Sequence, residues 1–154
     1  GFSPMTGGGF TAGQEGGSIE IEGIGIARPL ICYEGIFAEE IGTAERPRLM
    51  VLITNDAWFG AAAGPLQHLA QARLRAIEQG IPMVRVANTG VTAMIDARGR
   101  VTAQIGMNEA GFIDAPLPDA RPATIYSKYG DWPILGLLLA ALFAIAARAR
   151  RYSN

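Results

Sequence analysis

Apolar and polar residues alternate with a period of two from Ser18 to Ile26 (SIEIEGIGI), which predicts one half-buried strand. A more continuous apolar run from Pro29 to Tyr33 predicts a second strand, buried on both faces. Gly35 to Thr43 fits a short helix with Ile36, Phe37 and Ile41 turned inward. Leu49 to Thr54 reads as a buried strand that stops at the polar turn Asn55-Asp56. Leu69, Ala72, Arg73, Ala76 and Ile77 then recur at three- and four-residue spacing, predicting a long helix from Leu66 to Gln79 that Gly80-Ile81-Pro82 ends. Met83–Ala87, Val91–Asp96 and Val101–Ile105 are further strands, joined by turns at Asn88-Thr89-Gly90 and Arg98-Gly99. Gly111–Ala115 has the pattern of a last strand before the proline-rich LPDARP. The resulting order, β-β-α-β-α-β-β-β, predicts a layered α/β or α+β sandwich.

Two segments depart from this alternation. Residues 1–17 hold seven glycines without apolar periodicity and read as an irregular loop. No Lys-Ser/Thr follows those glycines, so they do not form a phosphate-binding loop. At the other end, Trp132 to Ala147 (WPILGLLLAALFAIAA) is sixteen residues without a charge. Extended to Tyr129–Arg148, the run reaches roughly the ~30 Å of a bilayer's hydrocarbon core. Tyr129 and Trp132 fit one membrane interface, and Arg148, Arg150 and Arg151 crowd the other. By the positive-inside rule, residues 149–154 are a cytoplasmic tail, 129–148 a transmembrane helix, and 1–128 lie on the far side of the membrane. The competing reading of this run is a buried core helix.

Composition narrows the function classes. The chain has 154 residues, 49% of them apolar, and a net charge of -1 from 13 basic and 14 acidic residues. It offers no basic stripe to a nucleic acid. One cysteine and one histidine exclude an internal disulfide and a Cys/His zinc site, and no cofactor or metal is expected. The start at Gly1-Phe2-Ser3-Pro4, without an initiator methionine, signal peptide or charged targeting region, reads as the middle of a loop in a fragment of a longer protein, or in one whose earlier part is missing here.

The one cysteine stands where chemistry would be expected. In Ala27-Arg28-Pro29-Leu30-Ile31-Cys32-Tyr33-Glu34-Gly35 an apolar run delivers Cys32 to a strand end, and a glycine turn follows. That is a common way to present a nucleophile, although most free cysteines only fill space. The run Ile31-Cys32-Tyr33-Glu34 resembles the nucleophile motif of the carbon–nitrogen hydrolase (nitrilase) superfamily. Three further stretches, Thr54-Asn55-Asp56-Ala57-Trp58-Phe59-Gly60, Gln67–Glu78 (QHLAQARLRAIE) and Arg85–Ala93 (RVANTGVTA), resemble in order and spacing the bacterial apolipoprotein N-acyltransferases.

That resemblance implies the carboxy-terminal part of a nitrilase-like αββα domain, incomplete here, on the periplasmic face of the bacterial inner membrane. The whole enzyme would cross the membrane several times. It also implies a two-step transfer: Cys32 takes an acyl group from a phospholipid as a thioester. The α-amine of a diacylglyceryl-cysteine on an apolipoprotein then receives it. Cys32 would be the nucleophile, the backbone N–H of Tyr33 an oxyanion donor, and Glu34 a residue ordering the site or capping the helix that follows. Trp58 and Phe59 are candidates for an acyl-chain pocket, and Asn88 for shaping the site. His68 invites a Cys–His pair, but its context favours a structural role, and Arg73, Arg75 and Glu78 read as pairs on one helix face. The family's glutamate base and lysine lie upstream of its cysteine. No lysine precedes Cys32 here, and Glu15, Glu20 and Glu22 match none of the family's motifs, so neither role is assigned. The fragment alone is expected to be inactive. Two other readings remain: a nitrilase-like amidase acting on a small amide, and a non-enzymatic membrane-anchored module in which Cys32 is merely packed.

Overall fold

Six strands form one mixed sheet in chain order: β1 (Ile19–Ile21), β2 (Gly25–Ile31), β3 (Leu49–Asn55), β4 (Met83–Asn88), β5 (Thr92–Ile95) and β6 (Val101–Ile105). The computed structural model describes residues 17–38, 41, 45–60 and 62–152. The stretch read as a glycine-rich loop lies, up to residue 16, outside the described residues. β2, β3 and β4 run parallel, while β1, β5 and β6 are joined antiparallel.

The alternating stretch at 18–26 is two strands rather than one. Gly23 and Gly25 have φ of 77° and 104°, which turn the chain back so that Ile19 pairs with Ala27. β2 carries Pro29 because β1 pairs only as far as Ala27, leaving that side of the strand as an edge.

Helix α1 (Gly64–Gln79) covers one face of the sheet. Pro65 stands in its first turn, where a missing N–H costs nothing, and Gly80 closes it at φ 65° with N–H bonds to Ala76 and Ile77 carbonyls. Its buried stripe is Pro65, His68, Ala72 and Ala76. The small alanines let the helix settle on Leu30, Met50, Leu52, Met83, Ala93 and Ile95, which with Ile41 form the core. The stripe is rotated from the one expected: Ile77 is exposed and His68 is inside.

The opposite face is open and apolar. Ile31, Ile53 and Val86 lie side by side across the parallel strands and are 55%, 51% and 45% exposed. The end of β2, Leu30–Ile31, is therefore buried on one face, not two.

Three other expectations change. Cys32–Ile36 is a 3₁₀ turn, and Phe37 after it is exposed; residues 39, 40, 42 and 43 of the expected helix lie outside the described residues. Gly111–Ala115 is not paired as a strand but runs beside Val84, Val86 and Met94 on the open face. The apolar C-terminal segment begins at Trp132, because Tyr129 ends a separate short helix, α2 (Ile125–Tyr129), capped by Thr124. Helix α3 (Trp132–Tyr152) follows, and Trp132–Arg150 is long and apolar enough to cross a membrane. None of that stretch is buried against the other described residues, as it would be in a core helix packed within this part of the protein.

Candidate active site

The three parallel strands end together, and the polar residues of the site sit at those ends, where open α/β sheets place their ligands. Ile31 pairs with Ile53 and Ile53 with Val86, so Cys32, Thr54 and Ala87 are the next residues on neighbouring strand ends. Cys32 leaves β2 with φ 51°, a left-handed conformation that costs a non-glycine residue about 1–2 kcal/mol. Strain of this kind persists only where surrounding contacts hold it.

Those contacts are on both sides of the turn. Glu34 Oε2 accepts the Ile31 N–H at 2.8 Å, closing the turn back onto the strand. Arg75 of α1 donates to the Ile36 carbonyl at 2.8 Å while its other nitrogen pairs with Glu78 at 2.7 Å. A Cβ on Gly35 would stand 3.0 Å from a Leu52 methyl, so the turn packs directly on β3.

Beneath the cysteine lies a buried polar cluster. Thr54 Oγ1 is 3.5 Å from Cys32 Sγ and 3.2 Å from Asp56 Oδ1. Asp56 Oδ1 also faces His68 Nδ1 at 2.9 Å, and Asp56 Oδ2 accepts from Arg85 Nη2 at 2.5 Å. Burial pushes the Asp56 carboxyl up, but the Arg85 and His68 hydrogen bonds and charges outweigh it and hold it below the ordinary value of 3.8. An ionised carboxylate only accepts, so His68 carries its proton on Nδ1 toward Asp56. Arg85 Nη1 donates to the Val91 carbonyl at 2.5 Å, tying the cluster to the turn after β4. Gly90 in that turn has to be glycine, because a Cβ there would sit 2.1 Å from Asp56 Oδ2.

Cys32 is half-buried at the edge of this cluster. Tyr33 is exposed, with its ring edge-on to Phe37 at 5.9 Å. Glu34 performs the capping role that sequence left open beside site ordering. Asn88 donates to Asn55 Oδ1 at 3.2 Å, and with Thr54, Ile53 and Val86 it lines an open cavity of about 640 Å³. Trp58 is 85% exposed, whereas Phe59 packs edge-on against His68 at 5.4 Å and against Gly64. His68 therefore turns to Asp56 and not to Cys32. Arg75 and Glu78 pair on the helix as expected, but Arg73 donates instead to the Gly99 carbonyl at 2.6 Å. No group of three metal-ligating side chains occurs among the described residues.

The joint role of Thr54, Asp56, His68 and Arg85 is the part sequence reading missed. The available signal was Arg85, a cation at an inward position of an otherwise apolar strand, which requires a buried partner.

Comparison with known proteins follows the same outline. The carbon–nitrogen hydrolase family profile matches residues 10–124. A protein of Bradyrhizobium diazoefficiens named apolipoprotein N-acyltransferase is 49% identical over 98% of this chain and 29% of its own length. One of Rhodopseudomonas palustris with the same name is 45% identical over 93% of this chain and 27% of its own. The chain thus spans under a third of the curated relatives it matches. Among solved structures, an amidase from Nesterenkonia sp. AN1 superposes with a TM-score of 0.56 at 18% identity, over 84% of this chain and 51% of that one. At that identity the likeness concerns the fold.

Proposed function

The chain belongs to the carbon–nitrogen hydrolase family, and on that premise we propose that it carries the nucleophile of a bacterial apolipoprotein N-acyltransferase. The observation that carries this reading is the likeness at 49% identity over 98% of the chain, which runs from the Cys32 turn through the exposed apolar helix.

In the proposed reaction, the Cys32 thiolate attacks the ester carbonyl of a membrane phospholipid. The S–C bond forms, the ester C–O bond breaks, and the lysophospholipid oxygen leaves with a proton. In the second step the α-amine of a diacylglyceryl-cysteine attacks the thioester carbonyl and loses a proton, and Cys32 leaves as thiolate. A thiolate serves both steps because it is a strong nucleophile and a good leaving group. The first N–H groups of a helical turn lack partners within it, which supports Tyr33 N–H as the donor to the oxyanion that forms at each step. Glu34 orders the turn. Asn88 lines the substrate cavity, and Trp58 offers an exposed ring to an acyl chain. The base that takes the thiol proton belongs to a part of the enzyme outside this chain.

Helix α3 supports a membrane location. Its nineteen-residue apolar stretch is roughly 28 Å long at ~1.5 Å per residue. The arginines Arg148, Arg150 and Arg151 at its far end support a cytoplasmic tail, and with it a periplasmic side for residues 1–128, where phospholipid and lipoprotein would both be within reach. The test is product formation. Membranes containing the full-length protein, given a diacylated lipoprotein amino-terminal peptide, should convert it to the N-acyl form seen by mass spectrometry. Hydrolysis of small amides with no peptide acylation would overturn the reading.

A further inference from the structure

We propose that Thr54 is a positioning residue for Cys32, whose hydroxyl changes partner with the charge on the sulfur. The inference rests on the reading of Cys32 as the nucleophile and adds a residue to it.

The argument begins with hydrogen counting. A threonine hydroxyl has one proton to donate and can accept as well. Thr54 Oγ1 lies between two acceptors, Asp56 Oδ1 at 3.2 Å and Cys32 Sγ at 3.5 Å, and it can donate to one at a time. While Cys32 is a thiol, the ionised Asp56 is the stronger acceptor, so the hydroxyl donates to it and its lone pair receives the S–H. Once the sulfur is a thiolate, it competes as a charged acceptor. The hydroxyl can then turn to Sγ, because Asp56 still keeps Arg85 and His68.

The surroundings make this rotation feasible. A bare carboxylate so near would oppose a thiolate, but Arg85 at 2.5 Å neutralises Asp56. Thr54 and Asp56 are both buried, so little water competes for the bond between them, while the bond to Cys32 is partly buried. Threonine is β-branched and stiff about χ1, which holds the oxygen between its two partners. The other charged groups near Cys32 are already engaged: Glu34 on the Ile31 N–H, and Arg75 on Ile36 and Glu78. Thr54 would donate to the sulfur twice in each cycle, before attack and again when the thioester collapses.

The test compares Thr54→Val, which keeps the shape and loses the hydroxyl, with Thr54→Ser, which keeps the hydroxyl and loses the methyl. Thr54→Ala serves as a second hydroxyl-free variant should the valine fail to fold. In the full-length protein in detergent, two rates are read for variants whose melting temperature matches the parent: single-turnover acylation of Cys32 by labelled phospholipid, and alkylation of Cys32 by iodoacetamide. Loss of one charge-assisted bond should slow both about tenfold in the hydroxyl-free variants, while serine returns to within about threefold of the parent. Parental alkylation rates without the hydroxyl, or a serine variant as slow as valine, would overturn the proposal. A parent that alkylates but never takes an acyl group contradicts the acyltransferase reading instead, and the alkylation comparison still decides the role of Thr54.

Discussion

Arg85 Nη2 donates to Asp56 Oδ2 at 2.5 Å, and neither side chain is exposed to solvent. Asp56 directly follows β3 and Arg85 is the third residue of neighbouring β4, 29 positions apart in sequence, and they meet beneath the cysteine. A buried ion pair adds little stability compared with an apolar pair of the same shape, but removing one partner strands the other charge. Replacement of Arg85 by Met should therefore cost on the order of 3–5 kcal/mol, read from denaturant unfolding of the detergent-solubilised protein. The double variant Asp56→Leu/Arg85→Met should recover much of that loss. A single-variant cost below about 1 kcal/mol would show that the pair is solvated.

The same pair sets an acid limit. The carboxyl of Asp56 is held below its ordinary value, so its contribution to stability is present above about 3.8 and is lost as pH falls through the depressed value. Asp96 behaves alike: burial raises its pKa, but the N–H groups of Arg98 and Arg100 and the Arg100 side chain outweigh that and lower it. Glu78 has the opposite sign. Burial raises it above 4.5, so its contribution is present below that value and fades as pH rises through the raised one. The melting temperature should drop steeply below pH 3.8, with a shallower drop in Asp56→Asn.

Gly90 is a steric prediction. A Cβ there would stand 2.1 Å from Asp56 Oδ2, so Gly90→Ala must push Asp56 off its partners. The expected outcome is a loss of about 2 kcal/mol or more together with slower alkylation of Cys32. Gly111→Ala, whose Cβ would meet only Ile105 at 3.5 Å, is the control and should cost little.

Helix α3 predicts where the protein fractionates. Its leucines, isoleucines and Phe143 face outward, so the full-length protein should remain in the membrane pellet after a carbonate wash and require detergent. Replacing Leu138 and Leu142 by Arg should release or destabilise it, since a charge at mid-membrane costs about 2.5–3.5 kcal/mol. Recovery of the parent from the soluble fraction would contradict the membrane reading.

Local periodicity made much of the fold legible. The strands at Leu49, Met83 and Val101 and the helix closed by Gly80 lie where their patterns place them, because one-sided burial writes itself into residue spacing. The failures have physical causes. Gly23 and Gly25 kept the alternation at 18–26 intact while their positive φ values turned the chain. The inward stripe of α1 was misplaced because His68, a polar residue, is buried by its bond to Asp56, a partner twelve positions away. The turn at the end of β2, where Cys32 stands, was legible from its motif. The contacts of Thr54 and Arg85 were not, since they exist only once neighbouring strands are brought side by side.

The central claim, that Cys32 is acylated by a phospholipid, is tested most directly by trapping the adduct. Full-length protein in detergent, incubated with phospholipid carrying a labelled acyl chain and no acceptor peptide, should hold the label on the proteolytic fragment containing Cys32. Neutral hydroxylamine should release it, as expected for a thioester, and Cys32→Ala should never acquire it. A fragment that stays unlabelled, or a label that persists in Cys32→Ala, would contradict the account.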